Sequence, residues 1–348
     1  LPFISDFYER PVEFPTSSMQ QRLSPDEYTK GVLAGDRVVL SRAITIIESN
    51  LPADRNLARQ ILENILPKSG NSIRIGITGI PGVGKSTFIE AFGKHLTSLG
   101  KRVAVLTIDP TSKRSGGSIL GDKTRMENLA HDPLAYIRPS ATGLSLGGVA
   151  AKTRETLLLC EAAGYEIVII ETVGVGQSET LVRGMTDFFL LLMLAGAGDE
   201  LQGIKKGIME LADVVAINKA DGNNELLAEQ AAGDYRNALH FLPRSASGQL
   251  TKVLTSSAVT GAGITELWAT VQDYQKATLE NGYFVKNRQL QNLDWMHDYI
   301  RQTLENKFYE SSKIKNSIRE LEKLVMESKE LPTVAAEQLL HLFLNRTK

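Results

Sequence analysis

Between Gly79 and Ser86 the chain reads Gly-Ile-Pro-Gly-Val-Gly-Lys-Ser, with Thr87 following. The spacing G-x-x-x-x-G-K-[ST] is that of a phosphate cradle. Glycines at Gly79, Gly82 and Gly84, separated by Ile80, Pro81 and Val83, let the backbone turn its N–H groups inward around an anion, and a helix opening at Lys85 adds its positive end. Lys85 then reaches the β and γ oxygens of a nucleotide as a mobile point charge, while the Ser86 hydroxyl is placed to ligate magnesium. A glycine turn that binds nothing would not need this order of parts: the apolar strand Ser72 to Thr78 before it and the helical run Phe88 to Leu96 after it.

A second stretch, Asn218-Lys219-Ala220-Asp221, follows an apolar run of strand length. A carboxylate fixed at a strand end can accept from N1–H and the exocyclic amine of guanine, a pair adenine does not offer. Asp221 therefore predicts GTP and GDP as ligands. Asn218 is expected to brace the loops and the Lys219 stem to cover the base. Downstream, Ser257-Ala258-Val259 is expected to present a backbone N–H to guanine O6.

Acidic residues complete the chemistry. Asp109 and Asp122 bound a loop rich in glycine and hydroxyl groups, and Glu171 ends the apolar run Ile167 to Ile170; all three are candidate magnesium ligands, directly or through water. Gly174, three residues after Glu171, is placed for its N–H to meet a γ-phosphate. Small signalling GTPases orient the attacking water with a glutamine directly after that glycine. Here Val175 stands in its place, which predicts slow intrinsic hydrolysis. A third charged segment, Ala195 to Gly207, carries Asp199, Gln202 and Lys205, which a partner could push toward the phosphates.

The elements that must position these groups alternate apolar runs with longer amphipathic ones, the signature of β-α-β units around a parallel sheet. Strands are expected at 73–78, 102–108, 134–138, 166–171, 188–194, 213–218 and 252–255. In such sheets ligands gather at the carboxyl ends of the strands, where the polar groups above fall. Before the sheet, Ser24-Pro-Asp-Glu27 reads as a capping box whose helix ends across Gly31 to Gly35. The next helix, 36–49, offers Val38, Val39, Ala43, Ile46 and Ile47 as its apolar face, and a third covers 53–66. After the sheet come helices to Glu280, from Val285 to Tyr309, from Lys313 to Lys329 and from Leu331 onward. Leu290, Leu293, Trp295, Met296, Ile300 and Leu304 could form a dimer seam or cover the nucleotide domain.

The totals narrow the class. The chain has 348 residues, with 39 basic and 40 acidic side chains, so neither nucleic-acid nor membrane-surface electrostatics are implied. The longest apolar run, Phe188 to Gly198, is too short to cross a bilayer. Cys160 is the only cysteine and the five histidines are scattered, which excludes an intrachain disulfide and argues against Cys- or His-based metal carriage. Residues 1–23 lack the basic and apolar regions of a secretory signal.

Taken together, Gly79 to Thr87, Gly116 to Met126, Glu171-Thr-Val-Gly-Val-Gly-Gln-Ser-Glu179, Gly198 to Gly207 and Asn218 to Asp221 closely resemble the methylmalonyl-CoA mutase-associated GTPases. The resemblance runs from about Tyr28 to the C-terminal helices. It implies an α/β P-loop NTPase fold of the SIMIBI type and a GTPase chaperone that gates adenosylcobalamin loading into the mutase and protects the mutase. It also implies a homodimer built partly from the C-terminal helices, in the cytoplasm of a bacterium or the mitochondrial matrix of a eukaryote. The expected organisation is an N-terminal arm with helices (1–70), a GTP-binding domain (71–282) and a helical dimerisation segment (283–348). A nickel-enzyme maturation GTPase and a P-loop small-molecule kinase are the alternatives.

Overall fold

Seven apolar runs become seven parallel strands in the order β3-β2-β4-β1-β5-β6-β7. They are β1 (Ile73–Gly79), β2 (Val103–Ile108), β3 (Ala135–Arg138), β4 (Ile167–Thr172), β5 (Phe188–Leu194), β6 (Val214–Asn218) and β7 (Lys252–Thr255). The structure is a computed structural model that describes residues 22–49, 51–108, 126–139, 146–172, 178–196, 206–241 and 245–344. Helices cover both faces of the sheet, so its central strands are buried throughout and read as unbroken apolar runs rather than alternating ones.

Alternate residues of each strand feed two separate cores. Ala104, Leu106, Val168, Ile170 and Phe189 pack on one face with α1 (Pro25–Leu33), α2 (Arg37–Glu48), α3 (Pro52–Ile65) and the helix Leu146–Ala162. Val103, Val105, Ile167, Ile169 and Phe188 pack on the other with α4 (Lys85–Ser98), α5 (Glu127–Ala130) and the helix Ile264–Glu280. Among the described residues the remaining helices, in chain order, are α6 (Leu146–Ala162), α7 (Ser178–Arg183), α8 (Lys206–Leu211), α9 (Glu225–His240), α10 (Ile264–Glu280), α11 (Tyr283–Glu310), α12 (Ser312–Met326) and α13 (Pro332–Leu344). α9 closes a third cluster over Leu191, Met193, Val215 and Ile217 through Ala228, Ala232 and Tyr235.

The helix ends follow from local chemistry, with one correction on the face of α2. The capping box forms: the Glu27 N–H donates to Ser24 Oγ, and the Ser24 N–H to Glu27 Oε2 at 2.8 Å. The helix ends at Leu33, within the stretch Gly31 to Gly35 as expected; a Cβ at Gly31 would lie 2.5 Å from Val39, so that glycine also serves the close approach of α1 to α2. The buried stripe of α2 is Leu40, Ala43, Ile44, Ile46 and Ile47, whereas Val38 is 68% exposed. Asp36 caps α2 by accepting from the Val38 and Val39 N–H groups, and this start rotates Val38 outward.

α10 ends at Asn281, and Gly282 at φ 77° turns the chain into the long α11. α12 and α13 pair beyond it, and Phe343 of α13 lies against Phe308 of α11 with ring centres 5.3 Å apart. Leu290, Leu293, Met296, Ile300 and Leu304 on α11 are all about half exposed, so they do not cover the sheet; Trp295 alone of the expected six lies toward α6. Among the described residues no helix is long and apolar enough to cross a membrane.

Candidate nucleotide site

β1 delivers the chain to Gly79 alongside β5, and a Cβ at Gly79 would lie 2.5 Å from the Leu192 carbonyl oxygen. Only glycine fits there. Gly82 (φ 78°) and Gly84 (φ 89°) hold the left-handed turns that bring the backbone round, and Val83 anchors the turn in the core. Gly84 is the N-cap of α4 and supplies no side-chain acceptor, so the first N–H groups of α4 open onto the turn. An anion satisfies such donors.

Lys85 Nζ donates to the carbonyls of Gly79 at 2.8 Å and Ile80 at 3.4 Å. Among the described residues no carboxylate pairs with it directly. Burial lowers its proton affinity, and the charges of Glu171 and Glu179 offset only part of that. Triphosphate oxygens would supply further countercharge. Ser86 Oγ donates to Glu171 Oε1 at 3.2 Å, joining the cradle to the end of β4. Glu171 is 4% exposed and sits beside Ile77 in the parallel register.

The second wall comes from β6 and β7. Asn218 Nδ2 donates to the Val83 carbonyl at 2.9 Å, and Lys219 Nζ to the Gly82 carbonyl at 2.9 Å. Lys219 has φ 59°, a conformation uncommon for a side chain with a Cβ, and Asn224 Nδ2 donates to its carbonyl at 2.7 Å. The Ala220 N–H donates to Ser256 O, and the Ser256 N–H to Ile217 O. Ser257 Oγ donates to Asp221 Oδ2 at 2.5 Å and accepts from the Val259 and Thr260 N–H groups. The Ser257 N–H is taken by the Ala262 carbonyl. Gly263 is required because a Cβ there would overlap the Thr255 carbonyl.

Gly79 to Thr87, Glu171, Asn218 to Asp221 and Ser257 to Val259 are thus gathered at the carboxyl ends of β1, β4, β6 and β7. Asp109, Asp122, Gly174, Asp199, Gln202 and Lys205 lie outside the described residues. The sequence reading passed over one buried link: Thr172 Oγ1 donates to Thr78 Oγ1 at 2.8 Å, tying the residue before Gly79 to the residue after Glu171. Only the β1–β4 register puts these two side chains together. Asn224 was missed too, although its distance of three residues from Asp221 was a usable signal.

A parallel sheet with a glycine cradle after β1 and a bracing N-K-x-D loop after β6 defines a P-loop guanine-nucleotide-binding protein. Within that class, the family profile described as "Methylmalonyl Co-A mutase-associated GTPase MeaB" matches residues 40–313, and the chain belongs to that family. GTPase ArgK of Escherichia coli is 47% identical over 275 residues, 79% of this chain and 83% of that protein. The mitochondrial methylmalonic aciduria type A homolog of Mus musculus is 43% identical over 340 residues, 95% of this chain and 82% of its own. A crystal structure described as LAO/AO transport system kinase matches with a TM-score of 0.75 and 36% identity, covering 94% of this chain and 100% of that one. The chain is a GTP hydrolase.

Proposed function

We propose that this GTPase is a chaperone whose nucleotide state gates adenosylcobalamin loading into methylmalonyl-CoA mutase, or a related acyl-CoA mutase, and protects that mutase from inactivation. The observation that carries the gating is the Ser86–Glu171 contact: one buried carboxylate touches the phosphate cradle and heads the segment that contains Gly174. Family membership supports the choice of partner. Asp221 and Ala258 read guanine, the α4 N–H groups and Lys85 hold the phosphates, and Asn218 and Lys219 keep the two walls together.

The paired hard oxygens of Ser86 and Glu171 suit magnesium, which takes few protein ligands; it would neutralise the phosphate oxygens, with Asp109 and Asp122 as water-mediated ligands. Gly174 meets the γ-phosphate, and Asp199, Gln202 and Lys205 accelerate turnover when a partner presses them inward. Val175 leaves intrinsic hydrolysis slow. The half-exposed ridge of α11 pairs with a second copy: Leu293, Met296, Ile300 and Leu304 recur every three or four residues, as in a coiled-coil seam. The working compartment is the bacterial cytoplasm or the mitochondrial matrix, and residues 71–282 bear the nucleotide while 283–348 form the dimer.

Copurification with a mutase, followed by GTP turnover with and without it, tests this reading. Stimulated release of free phosphate is expected. Labelled phosphate on a small-molecule acceptor would make the protein a kinase, as the solved relative is described.

A further inference from the structure

α7 is six residues long, and its two ends serve different parts of the molecule. Near its start, Glu179 is 2% exposed and its charge acts on Lys85 in the phosphate cradle. At its far end the Arg183 carbonyl and those of the turn that follows, at Gly184 and Thr186, accept from side chains of two other helices. Gln291 Nε2, from α11, donates to Thr186 O at 2.8 Å and Arg183 O at 3.3 Å. Arg154 Nη2, from α6, donates to Gly184 O at 3.1 Å. A Cβ on Gly184 would lie 3.3 Å from that nitrogen, so the turn is closely fitted to the guanidinium.

Arg154 itself rests on α11. Its Nη1 lies 3.6 Å from Asp298 Oδ2, and its guanidinium carbon is 6.0 Å from the centre of the Trp295 ring. Arg288, one turn before Gln291, donates to Asp187 Oδ2 at 2.6 Å, in the same turn between α7 and β5. Arg288, Gln291, Trp295 and Asp298 recur at three- and four-residue intervals and share one face of the helix. The exposed Leu293, Met296 and Ile300 occupy other positions on the same stretch. One rigid helix therefore touches the end of α7 and carries an exposed apolar ridge.

We propose that α11 reads the position of α7 through Gln291 and Arg154, so that the charge on the nucleotide is reported at the ridge Leu293–Met296–Ile300. The proposal rests on the guanine-nucleotide reading of the cradle. Arrival of a γ-phosphate changes the field at Glu179 and Glu171, and a rearrangement of α7 carries the turn behind it, whose carbonyls Gln291 and Arg154 hold. Coupling then needs no contact between α11 and the nucleotide. Gln291 and Arg154 are positioning residues, remote from the reacting atoms.

Hydrogen exchange on the whole chain tests the relay, with GDP or a non-hydrolysable GTP analogue bound and both affinities measured in parallel. In the wild type, exchange over 286–300 should differ between the two states by roughly fivefold or more. Gln291→Leu should remove that difference while leaving the GDP affinity within about twofold, because a coupling residue acts on the difference between states and not on either site. Arg154→Lys, which keeps the charge but loses the guanidinium fork, should reduce the difference. A residue of structural importance only would lower Tm equally with both nucleotides and leave the exchange difference intact; that result overturns the proposal. So does a wild type that binds both nucleotides yet exchanges alike over 286–300, a measurement that decides even if a variant fails to fold. Failure to take up either nucleotide sinks the guanine-nucleotide reading and the relay with it.

Discussion

At the carboxyl ends of the strands Lys85 is held by the carbonyls of Gly79 and Ile80, whereas at the amino ends Arg74, Arg183 and Arg288 each meet a carboxylate. Arg74 grips both oxygens of Glu161, Arg183 meets Asp213, and Arg288 bonds Asp187 together with the carbonyls of Gly70 and Ser72. The amino edge is neutralised from within and fastens α11 and α6 to the sheet. The carboxyl edge keeps a half-buried cation that Glu171 and Glu179 only partly compensate. A cation held that way costs stability in the empty protein, and the same cost becomes affinity when phosphate arrives.

The sharpest break of this contrast is Lys85→Met, which keeps the stem and removes the charge. Turnover of GTP should fall by about 10²-fold or more, the scale of losing one preorganised charge partner. The nucleotide-free variant should melt no lower than the wild type near neutral pH. The sign follows from the lowered proton affinity: the buried charge opposes folding below the folded pKa, and the penalty fades as pH rises through it. A clear loss of Tm in the empty variant would place Lys85 among the structural charges instead.

Arg288→Ala probes the opposite edge. It strands the Asp187 carboxylate, which is 1% exposed, and should cost about 3 kcal/mol of unfolding free energy in denaturant titrations, while nucleotide affinity changes little. A loss of affinity without loss of stability would reverse the assignment of roles.

Asp221→Asn sharpens the carboxyl edge further. Loss of a two-point contact to guanine should weaken GTP binding by about tenfold to a hundredfold, and xanthosine triphosphate should gain relative to GTP; calorimetry with both nucleotides measures the swap. Unchanged preference would remove Asp221 from the base site.

The smallest expected effect is a pH slope at the amino edge. Burial pushes the Glu161 carboxyl up, but Arg74 and Ser72 outweigh it and hold the group below its ordinary 4.5. Its stabilisation is therefore present above that value and lost as pH falls through the lowered folded pKa. Below pH 4.5 the wild type should lose stability with a steeper slope than Glu161→Gln. Equal slopes would mean the ion pair contributes no proton linkage.

These contrasts also separate what could be read early from what could not. The cradle from Gly79 to Thr87 and the loop from Asn218 to Asp221 were legible because their chemistry is local: glycines, a lysine and a carboxylate act at fixed sequence spacing. The strands were legible for a similar reason, since burial on both faces writes an unbroken apolar run into each. Val38 was misplaced because the cap at Asp36, rather than apolar content, sets the rotation of α2. The close approach of α1 to α2 at Gly31 was not legible, because its reason is a neighbouring helix.

By itself the sequence determined the phosphate cradle, the guanine loop and the parallel α/β architecture, all of which depend on residues within a turn or a strand of one another. Tertiary structure alone decided that Thr78 meets Thr172, that Arg288 closes on Asp187 across 101 residues, and that Gln291 reaches the end of α7. Those contacts join segments far apart in the chain. Their partners are chosen by strand register and helix packing, which no single stretch of sequence encodes.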